Sequence, residues 1–410
     1  MAKLRIARSL WTARGRDQQR RYESFKGERA ADVAIVGGGV TGAAVAWRFA
    51  DAGLSVAVLE ADRVARGSTA ASTALLMQEP DKDLHELARR FGQRNARRIW
   101  RLSQVATRDF IRTLRRLKIQ CELDKRDSVY YATRADDADR LKQEFRSRRA
   151  AGIAARWLDA SALRRLTGIR ARAGIQTPGN AQVDPCKACL GLLRAAERRG
   201  AKIFERSRVV GIDREGDAVF VRTERGVVRA KTVVIATGYA TPEFKPLAGR
   251  FRMMHTYVVA TERLAADAVR RLGLKKVMLW DTERPYHYLR WTRDRRVMFG
   301  GADRPRLAPG LRRRAMKRGA AALRQYFDRI YPALAAIDSA FVWEGLFATT
   351  PDGLPYIGRH GRYPKHLFAL GYGGNGMTFG FLAATLLLEQ YYGRSSPDHD
   401  LFAFGRTRSK

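Results

Sequence analysis

The chain has 410 residues, 45% of them hydrophobic, so it can bury a large core and is long enough for two domains. Its 78 lysine and arginine residues exceed its 41 acidic residues, giving a formal net charge of +37. No apolar run reaches the roughly 18–20 residues of a membrane-spanning helix. The basic N-terminus lacks the apolar core of a signal peptide. These features exclude an integral membrane protein and favour a cytoplasmic one.

The strong positive charge has three interpretations. It reflects the arginine-rich codon usage of a GC-rich genome, or it attracts a nucleic acid, or it attracts an anionic membrane face. We favour codon usage, because basic residues occur in every segment of the chain. Nucleic-acid binding and peripheral membrane association remain open alternatives.

The N-terminal part predicts an arm followed by a βαβ unit. Residues 1–30 are polar and basic without clear periodicity, which is typical of an arm lying on the domain surface. The apolar segment 32–36 predicts a buried strand, and a glycine turn follows it. A helix then runs to Gly53, and 56–60 predicts the second strand.

The next two segments predict helices. From Leu84 to Leu117 apolar residues recur at helical spacing, so one long helix or two joined helices bury that stripe and turn the arginine pairs outward. Cys186 and Cys189 form a CxxC pattern that leads directly into another helical pattern. No second ligand pair accompanies these thiols, so no metal site is predicted.

The remainder of the chain predicts mixed structure without a linker. Short strands are expected at 128–131 and within 203–235, where Gly211, Gly216 and Gly226 are interpreted as turns. A strand-rich section follows at about 252–302, then a basic helix at 311–330. The last part returns to strand, glycine loop and helix between 367 and 392. The absence of a linker favours domains that interleave.

A glycine motif follows the first strand of the βαβ unit and matches GxGxxG: Gly37-Gly38-Gly39-Val40-Thr41-Gly42. Gly37 permits a tight turn, Gly39 allows a pyrophosphate to approach, and Gly42 allows close helix packing. The helix N-terminus offers unpaired N–H groups to phosphates. Glu60, at the end of the second strand, is expected to accept hydrogen bonds from a ribose. These features predict a dinucleotide site.

FAD and NAD share this motif, so other segments must distinguish them. Small residues at 67–73, the strand end at 236–238 and a second glycine loop at 371–378 would all suit a flavin. That loop leads into a helix whose N-terminus can face the electron-rich end of a reduced flavin. The predicted cofactor-binding residues are Gly37, Gly39, Val40, Thr41, Gly42, Glu60, Ala61, Gly67, Ser68, Ala71, Ser72, Thr73, Val209, Ala236, Thr237, Gly238, Asp352, Gly373, Gly374, Asn375, Gly376, Met377 and Thr378.

Together these segments, in this order and over nearly the whole chain, resemble the D-amino-acid oxidase superfamily of flavoproteins. The pattern is most similar to γ-glutamylputrescine oxidase and glycine oxidase-like members. The resemblance implies FAD as cofactor and oxidation of a C–N bond of an amine or amino acid to an imine, which water then hydrolyses. It also implies an α/β fold in which a Rossmann-like FAD-binding domain interleaves with a mixed-sheet substrate domain.

This fold predicts a discontinuous division of the chain. The FAD-binding domain is expected to comprise 31–119, 183–245 and 341–395. The substrate domain is expected to comprise 120–182 and 246–340, with 1–30 as a basic N-terminal arm.

Substrate-binding residues are expected in the aromatic stretch 280–291. Strand alternation places Tyr288 and Arg290 on one face. Arg290 is predicted to bind a substrate carboxylate bidentately, with Tyr288 orienting it. Tyr372, in the second glycine loop, is predicted to wall the pocket near the flavin. Weaker candidates for this site are His255, Tyr257, Trp343 and Glu344.

The resemblance also implies noncovalent FAD. In sarcosine-oxidase relatives a cysteine seven residues before the aspartate of a Thr-Pro-Asp motif bonds the flavin, and that position here is Gly345. A loop lysine of those relatives falls on Thr378. This departure leaves open whether oxygen or a quinone reoxidises the flavin.

Two other classes of function remain possible. A flavin enzyme acting on a modified tRNA base would use the same chemistry, and salt-sensitive tRNA binding would distinguish it. A non-catalytic FAD-binding module would bind the flavin without its being reduced by any amine.

Overall fold

The structure, a computed structural model, describes residues 4–14, 21–271 and 277–406. Parts of the expected N-terminal arm, 1–3 and 15–20, lie outside the described residues.

The strands are numbered in chain order. They are β1 (Arg5–Ile6), β2 (Gly27–Val36), β3 (Val56–Leu59), β4 (Leu75–Leu76), β5 (Asp124–Tyr131), β6 (Arg156–Asp159), β7 (Ala173–Gln182), β8 (Lys202–Phe204), β9 (Val209–Glu215), β10 (Ala218–Thr223), β11 (Gly226–Gly238), β12 (Arg252–Thr261), β13 (Met278–Asp281), β14 (Tyr288–Trp291), β15 (Val297–Pro305), β16 (Ser339–Thr349), β17 (Tyr356–His360) and β18 (Tyr363–Leu370).

The helices are numbered in the same way, and two short 3-10 turns lie at Pro242–Phe244 and Pro332–Leu334. The helices are α1 (Leu10–Arg14), α2 (Val40–Asp51), α3 (Gly67–Ala71), α4 (Leu84–Phe91), α5 (Gln93–Arg116), α6 (Ala135–Ala150), α7 (Ala160–Thr167), α8 (Pro185–Glu197), α9 (Lys245–Ala248), α10 (Ala266–Arg271), α11 (Pro309–Ile330), α12 (Gly376–Tyr391) and α13 (Pro397–Asp400).

The first sheet carries the predicted βαβ unit. Its strand order is β17-β18-β11-β2-β3-β8, and β10 and β9 extend it from β11 as an antiparallel meander. The pairs from β18 to β8 are parallel. Helices α2, α8 and α12 pack together beside this sheet. Because parallel strands are covered on their faces, their sequences are almost continuously apolar, which made β2 and β3 recognisable.

Two features of the first sheet differ from the sequence-based expectation. Strand β2 begins at Gly27, because residues 27–31 pair with 226–230 of β11. Those residues of β2 are exposed or half-buried, so they lack the apolar signature of a strand. Gly211 is not a turn but lies inside β9, where it pairs with Arg222.

The second sheet has ten strands in the order β1-β16-β12-β15-β14-β13-β5-β7-β4, with β6 also pairing with β7. It is mixed, since β13 and β5 are parallel whereas β12, β15 and β16 are antiparallel neighbours. Helix α11 packs on β12, β15 and β16. The chain alternates between the two sheets, and the mixed α/β fold with a Rossmann-like dinucleotide unit is confirmed. The exact domain boundaries stay a prediction.

The helical segment before β5 is also confirmed, as two helices. Gly92 has φ +80° and separates α4 from α5. The apolar stripe of α5 is buried, whereas five of the six arginines in the pairs at 89–90, 97–98 and 115–116 are exposed. No helix of the described residues is both long and apolar enough to cross a membrane.

The N-terminal segment is more than a surface arm. Strand β1 pairs with β16, and Leu10 and Trp11 of α1 are buried in the main hydrophobic core. The Trp11 indole donates a hydrogen bond to the Ser72 carbonyl at 2.8 Å. A short amphipathic helix without repeated turns leaves too little periodicity for sequence recognition, and only its tertiary neighbours show that it is part of the core.

Candidate active site

One large cavity of about 770 Å³ lies between the two sheets. Its first end is formed by the segments that follow β2, β3 and β11 in the first sheet. Its other end is walled by residues of β12, β13, β14, β15 and β16. A cavity of this size, in which backbone, aromatic and charged groups converge, is typical of a ligand site.

The first glycine turn has the geometry that the motif predicts. Gly37 has φ +110°, and a Cβ there would lie 2.7 Å from the Ala236 carbonyl oxygen of β11. At Gly42 a Cβ would collide with the carbonyl oxygen of Gly37. The turn and the start of α2 are therefore in close backbone contact, which only glycine permits. The N-terminus of α2 faces the cavity, since Gly39, Val40 and Thr41 line it.

Side chains around the turn hold it in place. Glu60 accepts hydrogen bonds from the amides of Gly38, at 2.7 Å, and Asp62, at 2.9 Å. The Thr69 hydroxyl accepts one from the Val40 amide at 3.0 Å. Glu60 therefore lies at the end of β3 with a fixed orientation and lines the cavity, where a ribose would meet it.

The CxxC thiols support the same turn. The Cys189 thiol donates to the Gly38 carbonyl and the Cys186 thiol to that of Ala65, at 3.6 and 3.4 Å. Burial raises the pKa of the Cys186 thiol to about 12. Both cysteines lie in α8, as expected, and act as buried packing residues near the loop.

The second glycine loop forms the opposite wall of the cavity. Asp81 accepts hydrogen bonds from the Gly374 amide at 2.6 Å and from Asn375 Nδ2 at 2.9 Å. A Cβ at Gly373 or Gly374 would collide with the Asp81 carboxylate or the Tyr286 hydroxyl. Helix α12 begins immediately after this loop, so its N-terminus opens towards the cavity.

Most of the predicted site residues line this cavity. They are Gly37, Gly39, Val40, Thr41, Glu60, Ala61, Gly67, Ser68, Ala71, Ser72, Thr73, Val209, Ala236, Thr237, Gly238, Tyr288, Tyr372, Gly373, Gly374, Asn375, Gly376 and Met377. Four others do not line it: Gly42, Arg290, Asp352 and Thr378.

The structure does not support a substrate-binding role for Arg290. The side chain is 1% exposed, and Nη1 donates to the carbonyls of Thr73, Ala74 and Val183 at 2.7 to 3.2 Å. Its guanidinium also lies over the Trp11 ring, 5.4 Å from the centroid. Arg290 is on the same strand as Tyr288, but it extends under the segment 71–74. Strand alternation identified the face correctly, but only tertiary packing shows what covers it.

The side chains of Asp352 and Thr378 are also bound by other protein groups and do not line the cavity. Asp352 pairs with Arg406 at 2.8 Å, which tethers the C-terminal segment. The Thr378 hydroxyl donates to the Met77 carbonyl at 2.8 Å, within the first turn of α12. Gly42 acts through close packing against Gly37, as its motif position predicts, and does not itself face the cavity.

The two tyrosines of the predicted set have different surroundings. The Tyr288 hydroxyl is 3.0 Å from the Thr256 hydroxyl, and its ring fills the space beside Gly300. The Tyr372 hydroxyl instead donates to the Ala369 carbonyl. Tyr288 therefore presents a polar group at the second-sheet wall, whereas Tyr372 contributes mainly its ring.

Of the acidic residues at this wall, sequence reasoning named Glu344 as a weak candidate and missed Asp81 and Asp303. Burial raises the pKa of Asp81 to about 6, and that of Asp303 to about 6 as well. Arg312 donates to Glu344 through Nε at 2.8 Å. Asp303 comes two residues after Gly300-Gly301 on β15, and a glycine pair within a strand is a signal of close approach that would have drawn attention to it.

The cavity suits FAD. It joins a dinucleotide-type glycine turn and a ribose-directed carboxylate to the aromatic wall of the second sheet, and the N-termini of two helices open on it. Among the described lining residues none is cysteine or histidine, and Gly345 itself lines the cavity. These residues would hold the cofactor, and none of them offers a thiol or imidazole nucleophile for a covalent bond to it.

Comparison with known proteins agrees with this geometry. Residues 32–390 match the family model described as FAD dependent oxidoreductase, DAO. The chain is 26% identical over 375 residues to γ-glutamylputrescine oxidoreductase of Escherichia coli K12, covering 90% of this chain and 85% of that protein. It is 24% identical to glycine oxidase of Bacillus licheniformis, covering 92% and 98%.

Solved structures show the same fold. The crystal structure of glycine oxidase from Geobacillus kaustophilus superposes with a TM-score of 0.77 at 22% identity, covering 93% of this chain and all of that one. L-proline dehydrogenase from P. horikoshii superposes with a TM-score of 0.76 at 18% identity, covering 95% of this chain and all of that one.

Proposed function

This chain belongs to the DAO family of FAD-dependent oxidoreductases, and from that premise we propose that it oxidises the C–N bond of a small amine or amino acid to an imine, which water then hydrolyses. The printed names of its relatives, γ-glutamylputrescine oxidoreductase and glycine oxidase, support this substrate class.

The observation that carries the proposal is the continuity of one cavity from the glycine turn to the second-sheet wall. Bound FAD supplies a two-electron acceptor for the hydride that leaves the substrate carbon. The protein therefore needs chiefly to hold a C–H bond in position. The wall offers an aromatic surface for this, since Trp280, Tyr286 and Tyr288 all line the cavity and Trp280 stacks on Tyr130 at 3.7 Å.

The aromatic part of the wall also presents two neutral hydroxyls. Burial raises the pKa values of Tyr286 and Tyr288 above the usual range, so both hydroxyls stay neutral. Neutral hydroxyls can orient a substrate nitrogen by hydrogen bonding without competing for its charge.

Further predictions remain part of this proposal. The flavin is held noncovalently, and oxygen or a quinone reoxidises it. The FAD-binding domain comprises 31–119, 183–245 and 341–395, although β16, which begins at Ser339, pairs within the second sheet. A cytoplasmic location is retained, while binding of nucleic acid or an anionic membrane face stays an open alternative.

Anaerobic titration of the holoenzyme tests the function. A panel of amines and amino acids is added to the protein, and absorbance near the flavin maximum is followed. We expect at least one member to bleach the flavin in a saturable way. If none does while dithionite bleaches it fully, the chain is an FAD-binding module and the proposal is wrong.

A further inference from the structure

The second-sheet end of the cavity is acidic, whereas the chain as a whole is strongly basic. Lysine and arginine outnumber acidic residues 78 to 41 in the whole chain. At this end, however, the lining carboxylates are Glu79, Asp81, Asp303 and Glu344, with Arg312 as the local guanidinium. The other lining arginines follow β3 and β8 of the first sheet, at Arg63, Arg66 and Arg208. A negatively charged chamber favours a cationic substrate.

Three of these carboxylates already have partners. Glu79 accepts hydrogen bonds from Asn180 Nδ2 at 3.1 Å and from the Ser128 hydroxyl. Asp81 holds the second glycine loop, and Glu344 is ion-paired with Arg312. Their charges are therefore committed to the architecture of the wall.

Asp303 differs in having no ion pair among the described residues, whereas Glu344, whose Oε2 is also buried without a hydrogen-bond partner, is paired with Arg312. The Oδ1 of Asp303 is buried and has no hydrogen-bond partner among the described residues. Its side chain interacts with the Thr256 hydroxyl, which in turn lies 3.0 Å from the Tyr288 hydroxyl. A buried carboxylate oxygen with an unfilled acceptor position is costly unless a ligand or a water molecule completes it.

The groups that face Asp303 do not neutralise it. Burial is the main cause of its raised pKa, and the nearby Asp81 raises it further, while Thr256 and His287 lower it. The other ionisable neighbours are Tyr257, Tyr286 and Tyr288, and burial raises the pKa of each. Arg304, next along β15, is turned to the Tyr257 ring at 5.5 Å.

The reaction needs a group of this kind. An aliphatic amine has a pKa near 10, as lysine does, so it arrives as an ammonium ion. Hydride leaves the carbon only when the nitrogen has a lone pair with which to form the imine. A site that binds the ammonium must therefore take one proton from it before oxidation.

We propose that Asp303 binds the substrate ammonium and accepts its proton, so that the cavity selects cationic amines over substrates that place a carboxylate beside Asp81 and Asp303. This rests on the proposed function. In the step, an N–H bond of the ammonium breaks, its electron pair stays on nitrogen, and the proton goes to a carboxylate oxygen of Asp303. Burial helps because a low dielectric penalises both charges and brings the two pKa values closer.

The first test measures binding without turnover. The holoenzyme is titrated with hexyltrimethylammonium, which has no lone pair to support oxidation, and with hexanoate, and the flavin absorbance shift is followed. We expect the cation to bind more tightly as the pH rises through about 6. Asp303→Asn should weaken binding of the cation at least tenfold, and it should not weaken binding of hexanoate. Asp217→Asn, on an exposed surface, is the matched control and should leave both unchanged.

The second test follows flavin reduction by an amine substrate against pH. In the wild type the apparent second-order rate should rise through about pH 6. In Asp303→Asn the rate should instead keep rising towards the pKa of the free amine, since only the neutral amine reacts. Asp303→Glu, which keeps a carboxylate, should retain part of the rise through about pH 6. If Asp81→Asn, and not Asp303→Asn, loses the rise of the rate through about pH 6, Asp81 is the group that accepts the proton.

The outcomes are distinct. If Asp303→Asn keeps wild-type cation affinity and its pH limb, or if only Asp81→Asn loses them, the assignment to Asp303 is overturned. If Asp303→Asn does not retain FAD, the comparison is made with Asp303→Glu, whose cation binding must persist. If no amine bleaches the flavin but the cation still binds through Asp303, the proposed function fails while the binding site stands.

Discussion

The contact between Gly42 and Gly37 allows a sharp test of the first glycine turn. Gly42 lies in the first turn of α2, a helix, where alanine is intrinsically favoured over glycine by about 1 kcal/mol. Local propensity alone therefore predicts that Gly42→Ala stabilises the protein. The tertiary structure predicts the opposite sign.

The steric cost follows from the distances. A Cβ at Gly42 would lie 3.0 Å from the Gly37 carbonyl carbon and closer still to its oxygen. Carbon–oxygen contacts normally lie at about 3.3–3.6 Å, so helix and turn must separate by roughly 1.5 Å. Overpacking of this kind costs about 1–3 kcal/mol. Here both partners are backbone, and the turn is fixed by Glu60 and Thr69, so we expect the upper part of that range.

The same displacement weakens cofactor binding, because it moves the amides at the start of α2 away from the phosphates. We expect Gly42→Ala to lower the melting temperature and to weaken FAD binding on the order of tenfold or more, about 1.4 kcal/mol. Gly310→Ala is the matched control, since Gly310 lies near the start of α11 with nothing within 4 Å of an added Cβ. Flavin fluorescence titration and thermal unfolding measure both. A Gly42→Ala variant as stable and as FAD-saturated as the wild type would refute the close-packing argument.

The other predictions concern three residues and the cofactor bond. Arg290→Lys should lower thermal stability and FAD retention, because the guanidinium bridges carbonyls beneath the cofactor segment. It should leave the KM for substrate unchanged, and a raised KM with unaltered stability would restore the anchor role. Acid precipitation should release the yellow flavin into the supernatant, since Gly345 offers no nucleophile; a coloured pellet would contradict this. The raised pKa of Asp303 means that the folded state holds a proton more tightly than the unfolded chain, so its stabilising contribution is complete below about pH 4 and is lost as the pH rises through about 6. The shift corresponds to at most about 3 kcal/mol. Asp303→Asn should therefore gain more stability over wild type at pH 7.5 than at pH 4.5, and equal gains at both pH values would count against the raised pKa.

The dinucleotide unit was predictable from the sequence because its determinants are local. A buried parallel strand is a continuous apolar run, a tight turn requires glycine, and the helix starts where the turn ends. Gly37, Gly39 and Glu60 were identified on these grounds, and all of them line the cavity. These three residues lie within about 25 positions of one another in the chain.

The substrate wall depends on contacts between distant segments, and there the sequence was insufficient. Arg290 and Asp303 each lie on a strand and carry the charge that a substrate site requires. Only the fold shows that segment 71–74 and Trp11 cover Arg290, and that Asp303 faces the cavity. Burial and partnering of a charged group are properties of its three-dimensional neighbours, which periodicity along one strand does not specify. The sequence by itself therefore determined the cofactor and the family, while the tertiary structure decided which charged groups line the cavity.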